Sequence, residues 1–185
     1  MKLKVILLSA CVGIIAVPAL ANAAVGQYAP AAGNGNYYSQ DRCGDSSTLF
    51  IGDQEDDAIT GTNGPDIVRS DGGNDNIKVL AGNDCVFAGD GTDNVLGNEG
   101  NDYAAGGRGG DTLRGRSGND ELAGGPGNDV VTGGRGNDTL RGGPGNDLLI
   151  GGPGRNSLNC GSGHDRAVAS QGDHVSPTCE EMVIR

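Results

Sequence analysis

Aspartates recur in this 185-residue sequence every nine residues, at Asp57, Asp66, Asp75, Asp84, Asp93, Asp102, Asp111, Asp120, Asp129, Asp138 and Asp147; Asn156 takes the next place and Asp165 follows it. Two residues before each stands a glycine, at 64, 73, 82, 91, 100, 109, 118, 127, 136, 145, 154 and 163, with Glu55 the exception in the first copy. A turn rich in glycine leaves backbone carbonyls free of helical or ladder bonds. Carboxylate and carbonyl oxygens together are the donor set of a hard cation. Ca²⁺ takes six to eight oxygens at roughly 2.3–2.6 Å in a flexible shell, whereas Mg²⁺ demands a tighter octahedron and keeps its waters. Calcium is therefore the expected ion.

The elements that position these oxygens follow from a third column. Two residues after each aspartate position comes Ile59, Val68, Ile77, Val86, Val95, Ala104, Leu113, Leu122, Val131, Leu140, Leu149, Leu158 or Ala167. Six residues of Gly, Asn and Pro turn tightly, and three then run extended with the middle aliphatic on one face and its neighbours on the other. Two nonapeptides make one coil, so odd and even copies build separate sheets and one aliphatic from each side meets in the middle. Loops of copies n and n+2 stack about 4.8 Å apart.

The pattern resembles the RTX (haemolysin-type) calcium-binding repeat, Gly-Gly-x-Gly-x-Asp-x-U-x with U a large aliphatic. The best copies are 106–113, 124–131, 133–140 and 142–149, within thirteen repeats spanning 52–168. The resemblance implies an all-β parallel β-roll, a solenoid closed by short disulfide-linked caps. It also implies several calcium ions held in the Gly-rich turns. Carried across residue by residue, the ligand set is Asp111, Asp129, Asp147 and Asp165 in the odd stack and Asp102, Asp120 and Asp138 in the even stack. Carbonyls are expected from Gly106, Gly107, Gly109, Gly124, Gly125, Gly127, Gly133, Gly134, Gly136, Gly142, Gly143 and Gly145. Asn156 lacks the carboxylate, Val79-Leu80-Ala81 replaces the glycine pair before Asp84, and Asp53 and Glu55 disturb the first loop. Affinity is expected to fade towards the N-terminal copies.

Energetics couple the ion to the fold. Each coil buries about two aliphatics at roughly 1.5–3 kcal/mol apiece, against an ordering cost on the order of 1–2 kcal/mol per residue. Stacked carboxylates also repel. Bound Ca²⁺ cancels that repulsion, and the metal-free repeats are expected to be largely disordered.

Composition excludes other classes. With 36 glycines, 3% aromatics, no Trp and a net charge of -11, a conventional globular core is hard to build and nucleic acid is not an expected partner. The two histidines, His164 and His174, lie in a loop and in the tail, and no hydrolase or phosphate-loop signature accompanies them, so no catalytic residue is assigned and no enzyme is expected. Two roles fit: a secreted calcium-binding protein, or a calcium-stiffened adhesion or extracellular-matrix protein with an unidentified cell-surface or matrix partner. The outward positions lack the regular Thr array of an ice-binding solenoid.

Outside the array, Lys2 and Lys4 precede an apolar run over 5–17, and Ala21-Asn22-Ala23 offers a cleavage site, so residues 1–23 read as a secretory signal peptide. A lipid-bearing Cys11 is the rival reading. No membrane span is expected elsewhere. Residues 24–40 read as a flexible lead, 41–56 as an N-terminal cap with the first loop, and 169–185 as a C-terminal cap. Cys43, Cys85, Cys160 and Cys179 allow three pairings; Cys160 with Cys179 and Cys43 with Cys85 are expected, because each pair lies towards one end of the array.

Overall fold

The computed structural model describes residues 47–185. The signal sequence, Cys11, the lead over 24–40, most of the N-terminal cap and Cys43 lie outside the described residues. So does the expected pairing of Cys43 with Cys85, although Cys85 itself is disulfide-bonded.

The described chain is a parallel β-solenoid of about eight coils without a helix. Odd strands form one eight-stranded sheet in the order β1-β3-β5-β7-β9-β11-β13-β15, and even strands form the facing sheet, from β2 to β16. The odd strands are β1 (Thr48–Ile51), β3 (Asp66–Arg69), β5 (Cys85–Asp90), β7 (Tyr103–Arg108), β9 (Glu121–Ala123), β11 (Thr139–Pro144), β13 (Ser157–Ser162) and β15 (His174–Val175). The even strands are β2 (Ala58–Thr60), β4 (Asn76–Lys78), β6 (Asn94–Glu99), β8 (Thr112–Ser117), β10 (Val130–Arg135), β12 (Leu148–Ile150), β14 (Arg166–Ala169) and β16 (Glu181–Ile184). Neighbours in the array pair at an offset of 18 residues, as in Leu113↔Val131 and Leu140↔Leu158. The expected two-sheet roll is thus what the sequence builds.

The aliphatic column fills the space between the sheets. Val68, Val86, Leu122, Leu140 and Leu158 on the odd sheet face Ile77, Val95, Leu113, Val131 and Leu149 on the even one, all at most 1% exposed. Phe50, nine residues before Ile59, is buried in the same column and makes β1 a coil in its own right. At the other end β15 and β16 add two more strands, and Val175 packs on the core. The Cys160–Cys179 disulfide ties β13 to the segment between them.

Seven strands run six residues and not three. The extra residues are the first three of the following loop, which keep the parallel register with the coil beyond, as in Arg116↔Gly134 and Ser117↔Arg135. The first loop position also points inward: Val79, Ala88, Cys160 and Ala169 occupy it and are buried in the core cluster. The second position takes a positive φ in nearly every copy. Glycine supplies it at Gly89, Gly107 and Gly125, but Asp71, Leu80, Asn98 and Arg116 adopt it with side chains attached. A left-handed backbone costs a non-glycine residue about 1–2 kcal/mol. Leu80→Gly is therefore expected to raise stability, by about 0.5–1 kcal/mol after the greater freedom of glycine in the unfolded chain is subtracted. Denaturant unfolding in calcium would measure it.

Candidate metal centre

Each aspartate of the column turns inward under its own loop, and from Asp75 to Asp165 these side chains are at most 3% exposed. The two carboxylate oxygens do different work. Oδ1 accepts the backbone N–H of the aspartate one coil earlier: Asp111 N–H to Asp129 at 2.8 Å, Asp129 to Asp147 at 2.8 Å, and Asp147 to Asp165 at 2.9 Å in the odd stack. The even stack repeats this from Asp102 to Asp120 and from Asp120 to Asp138, each at 2.9 Å. These bonds fix where the carboxylate sits.

Oδ2 has no such partner. It is buried and receives no hydrogen bond in Asp75, Asp84, Asp93, Asp102, Asp111, Asp120, Asp129, Asp138, Asp147 and Asp165. Buried carboxylate oxygens left unpaired are costly and call for a cation or a proton. The first two copies differ, because Asp57 Oδ2 accepts Asp53 N–H at 3.0 Å and Asp66 Oδ2 accepts Thr62 N–H at 2.6 Å. Their loops satisfy the carboxylate from within.

Other oxygens gather around Oδ2. A methyl placed on Gly106 would lie 2.3 Å from Asp111 Oδ2 and 2.7 Å from Gly124 O; on Gly142 it would lie 2.3 Å from Asp147 Oδ2 and 2.4 Å from Cys160 O. Glycine at this first position keeps the space beside the carboxylate open. The carbonyls of Gly124 and Gly142 are themselves occupied, by the N–H groups of Gly107 and Gly125. At the fourth position no backbone N–H of the described residues donates to the carbonyls of Gly109, Gly127, Gly136 or Gly145. At the second position the ladder uses Asp90 N–H on Asp71 O and Glu99 N–H on Leu80 O. Pro126, Pro144 and Pro153 have no N–H to give at that place, which releases the carbonyls of Gly107, Gly125 and Gly134. Partnerless oxygens therefore accumulate in the copies that follow the glycine pattern best.

Among the described residues no group of three or more carboxylate, histidine or cysteine side chains comes together. The donor set of each loop is one carboxylate oxygen with carbonyls, all hard oxygen and no nitrogen or sulfur. That suits a divalent cation such as calcium and not zinc. In the metal-free state burial pushes the carboxyls up, against the backbone hydrogen bond from the preceding coil, to about 7 at Asp84, Asp120 and Asp129 and about 6 at Asp93, Asp102 and Asp111.

The ends of both ladders are closed by residues outside the nine-residue register. Asn156 Oδ1 accepts Asp138 N–H, its Nδ2 donates to Gly152 O at 3.1 Å, and its own N–H reaches Asp173 Oδ1 at 2.8 Å, 17 residues on. Asp165 N–H reaches Glu180 Oε2 at 2.6 Å, 15 residues on, and that bond holds the exposed Glu180 carboxyl below its ordinary range. Reasoning from the sequence missed Asp173 and Glu180. It also missed the residue before each aspartate: Asn83 Oδ1 accepts Asn101 N–H, Asn101 accepts Asn119, Asn119 accepts Asn137, and Asn128 accepts Asn146, at 2.7–2.8 Å. This second ladder points forward along the chain while the aspartate ladder points back. The nine-residue spacing held the signal, in the repeated Asn-Asp pair.

A parallel β-roll with a ladder of half-satisfied carboxylates along each edge is a metal-binding repeat architecture. The family model of the RTX calcium-binding nonapeptide repeat matches in overlapping segments from 51–84 to 132–167, which together cover residues 51–167, more than half of the chain, and the chain belongs to that family. No curated protein matches it as a relative.

Proposed function

We propose that the protein is an exported calcium-binding protein and not an enzyme, with ions seated between stacked loops on both edges of the roll and with binding coupled to folding. The observation that carries the reading is the run of ten buried, unpartnered Oδ2 atoms. The ligands are the Oδ2 atoms of Asp102, Asp111, Asp120, Asp129, Asp138, Asp147 and Asp165, with the released carbonyls of Gly107, Gly109, Gly125, Gly127, Gly134, Gly136 and Gly145. Gly106, Gly124, Gly133 and Gly142 clear space for the ion, and Gly143 supplies the turn at its positive φ of 129°. Asp75, Asp84 and Asp93 join the set, because their Oδ2 atoms are equally bare. Calcium supplies positive charge to oxygens that the fold removes from water, so it stabilises the rolled state over the unfolded chain. Export is supported by the Cys160–Cys179 disulfide, a bond of oxidising compartments.

Calorimetric titration of chelator-treated protein at pH 7.5 tests the assignment. Calcium is expected to bind at several sites and Mg²⁺ to give little heat, and Asp129→Asn is expected to lower the calcium stoichiometry. Equal binding of both ions, or an unchanged stoichiometry in the variant, would sink it. The reverse substitution is as informative. In Asn156 the side-chain Nδ2 donates to Gly152 O, the kind of oxygen a cation takes elsewhere. Asn156→Asp is expected to add one calcium ion per chain and to lower stability when calcium is absent.

A further inference from the structure

Exposed charges outside the aspartate column are segregated along the roll. Asp53, Glu55, Asp56, Asp71, Asp90 and Glu99 are exposed in the N-terminal coils beside one exposed cation, Lys78, whereas between residues 108 and 166 every exposed Asp, Glu, Lys or Arg side chain is an arginine. Three of these arginines share one edge. Arg116, Arg135 and Arg155 lie in the even-stack loops of three successive coils: Ser117 pairs with Arg135, and Arg155 N–H donates to Asn137 Oδ1, two residues beyond Arg135. None of the three forms an ion pair among the described residues, and the only acidic side chains in these three loops are the buried Asp120 and Asp138. The opposite edge carries a single arginine, Arg108, over the same coils.

The same edge presents a file of amides. Asn101, Asn119 and Asn137 are exposed; each uses Oδ1 for the ladder and leaves Nδ2 pointing no hydrogen bond at the protein. From Arg116 to Arg155 the charged and amide side chains exposed on this edge are therefore guanidiniums and amides, on coils that rise about 4.8 Å each; the nearest exposed carboxylate is Glu99, at the N-terminal limit of the stretch beside Ser117. Arg116 holds its place at a φ of 83°, where most copies have glycine.

We propose that this edge is a docking surface for a linear polysaccharide bearing sulfate or carboxylate groups. Guanidinium forks match such oxyanions bidentately, and the amides match sugar hydroxyls. The loops concerned contain no aromatic and no large apolar side chain, so they offer nothing on which a nucleobase stacks and nothing that enters a lipid layer. The proposal rests on the calcium reading to the extent that ions beneath Asp120 and Asp138 add to the positive field of the edge.

The test uses the calcium-loaded full chain, with folding followed separately by circular dichroism so that loss of the roll and loss of the docking surface are read apart. Dextran sulfate and carboxymethyl dextran distinguish the two oxyanions, with plain dextran and poly(U) as comparisons. Binding to at least one charged dextran and none to plain dextran is expected. Combined Arg116→Gln, Arg135→Gln and Arg155→Gln should weaken it by about tenfold or more at low salt, with calcium-induced folding unchanged. Combined Arg108→Gln, Arg114→Gln and Arg166→Gln removes the same charge elsewhere and should weaken it by less than about threefold. Equal losses in the two triple variants, no binding to either charged dextran, or tighter binding of poly(U) would overturn the proposal.

Discussion

Stripped of calcium, the roll is expected to be most stable in mild acid and to unfold as the pH is raised towards neutrality, the reverse of acid denaturation. Six column carboxyls titrate at about 6 to 7 in the metal-free fold because burial disfavours their charge. In the unfolded chain an aspartate titrates near 4. A folded pKa above the unfolded one means that the fold holds more protons across that window, so protonation stabilises it below pH 4 and the benefit is lost as pH rises through 6 to 7. Calcium inverts the dependence, because it competes with protons for the same Oδ2 atoms. Apparent affinity should therefore fall as the pH drops below about 7. Thermal unfolding from pH 4 to 8, with chelator and with excess calcium, should give curves of opposite slope. Parallel curves would mean that the carboxylates are not where the ion acts.

The largest single-residue effect is expected at the fourth loop position. A methyl on Gly127 would sit 1.5 Å from Gly109 O on a backbone with φ of 154°, and one on Gly109 would sit 1.5 Å from Gly91 O at φ of 136°. The obstacle is the backbone of the neighbouring coil, which cannot yield without separating the stack. Gly109→Ala or Gly127→Ala should cost more than about 3 kcal/mol and lower calcium affinity together with stability. Gly110→Ala is the matched control. Its methyl meets nothing nearer than Asn128 O at 3.3 Å and no positive φ opposes it, so a change below about 1 kcal/mol is expected. Similar losses at Gly109 and Gly110 would show that glycine serves there only for flexibility.

That pair of neighbours also shows how far the sequence could be read. The columns of Asp, Gly and aliphatic residues each repeat at nine, and they are enough to place two sheets and their offset of 18; the inward turn of the Asp side chains beneath the loops is visible only in the structure. Phe50 escapes a repeat anchored on aspartate, because Thr48 stands two residues before it where the column has Asp. The asparagines were read as turn formers, since a preference for turns and a ladder between coils leave the same trace in one strand of sequence. Asp173 and Glu180 close their ladders at offsets of 17 and 15, so no periodic search finds them. Which carbonyls are released depends on the absence of N–H at Pro126, Pro144 and Pro153, a consequence visible only once the coil beneath each proline is known.

The central claim is that calcium sits between stacked loops against Asp Oδ2. Long-wavelength anomalous diffraction from crystals grown in calcium tests it most directly. Peaks in both stacks, within about 2.6 Å of Oδ2 of residues such as Asp111, Asp129 and Asp120, are the expected result. A calcium-bound roll whose peaks lie only at surface acids such as Asp53, Glu55 and Asp90, with the column aspartates bare, would contradict the account.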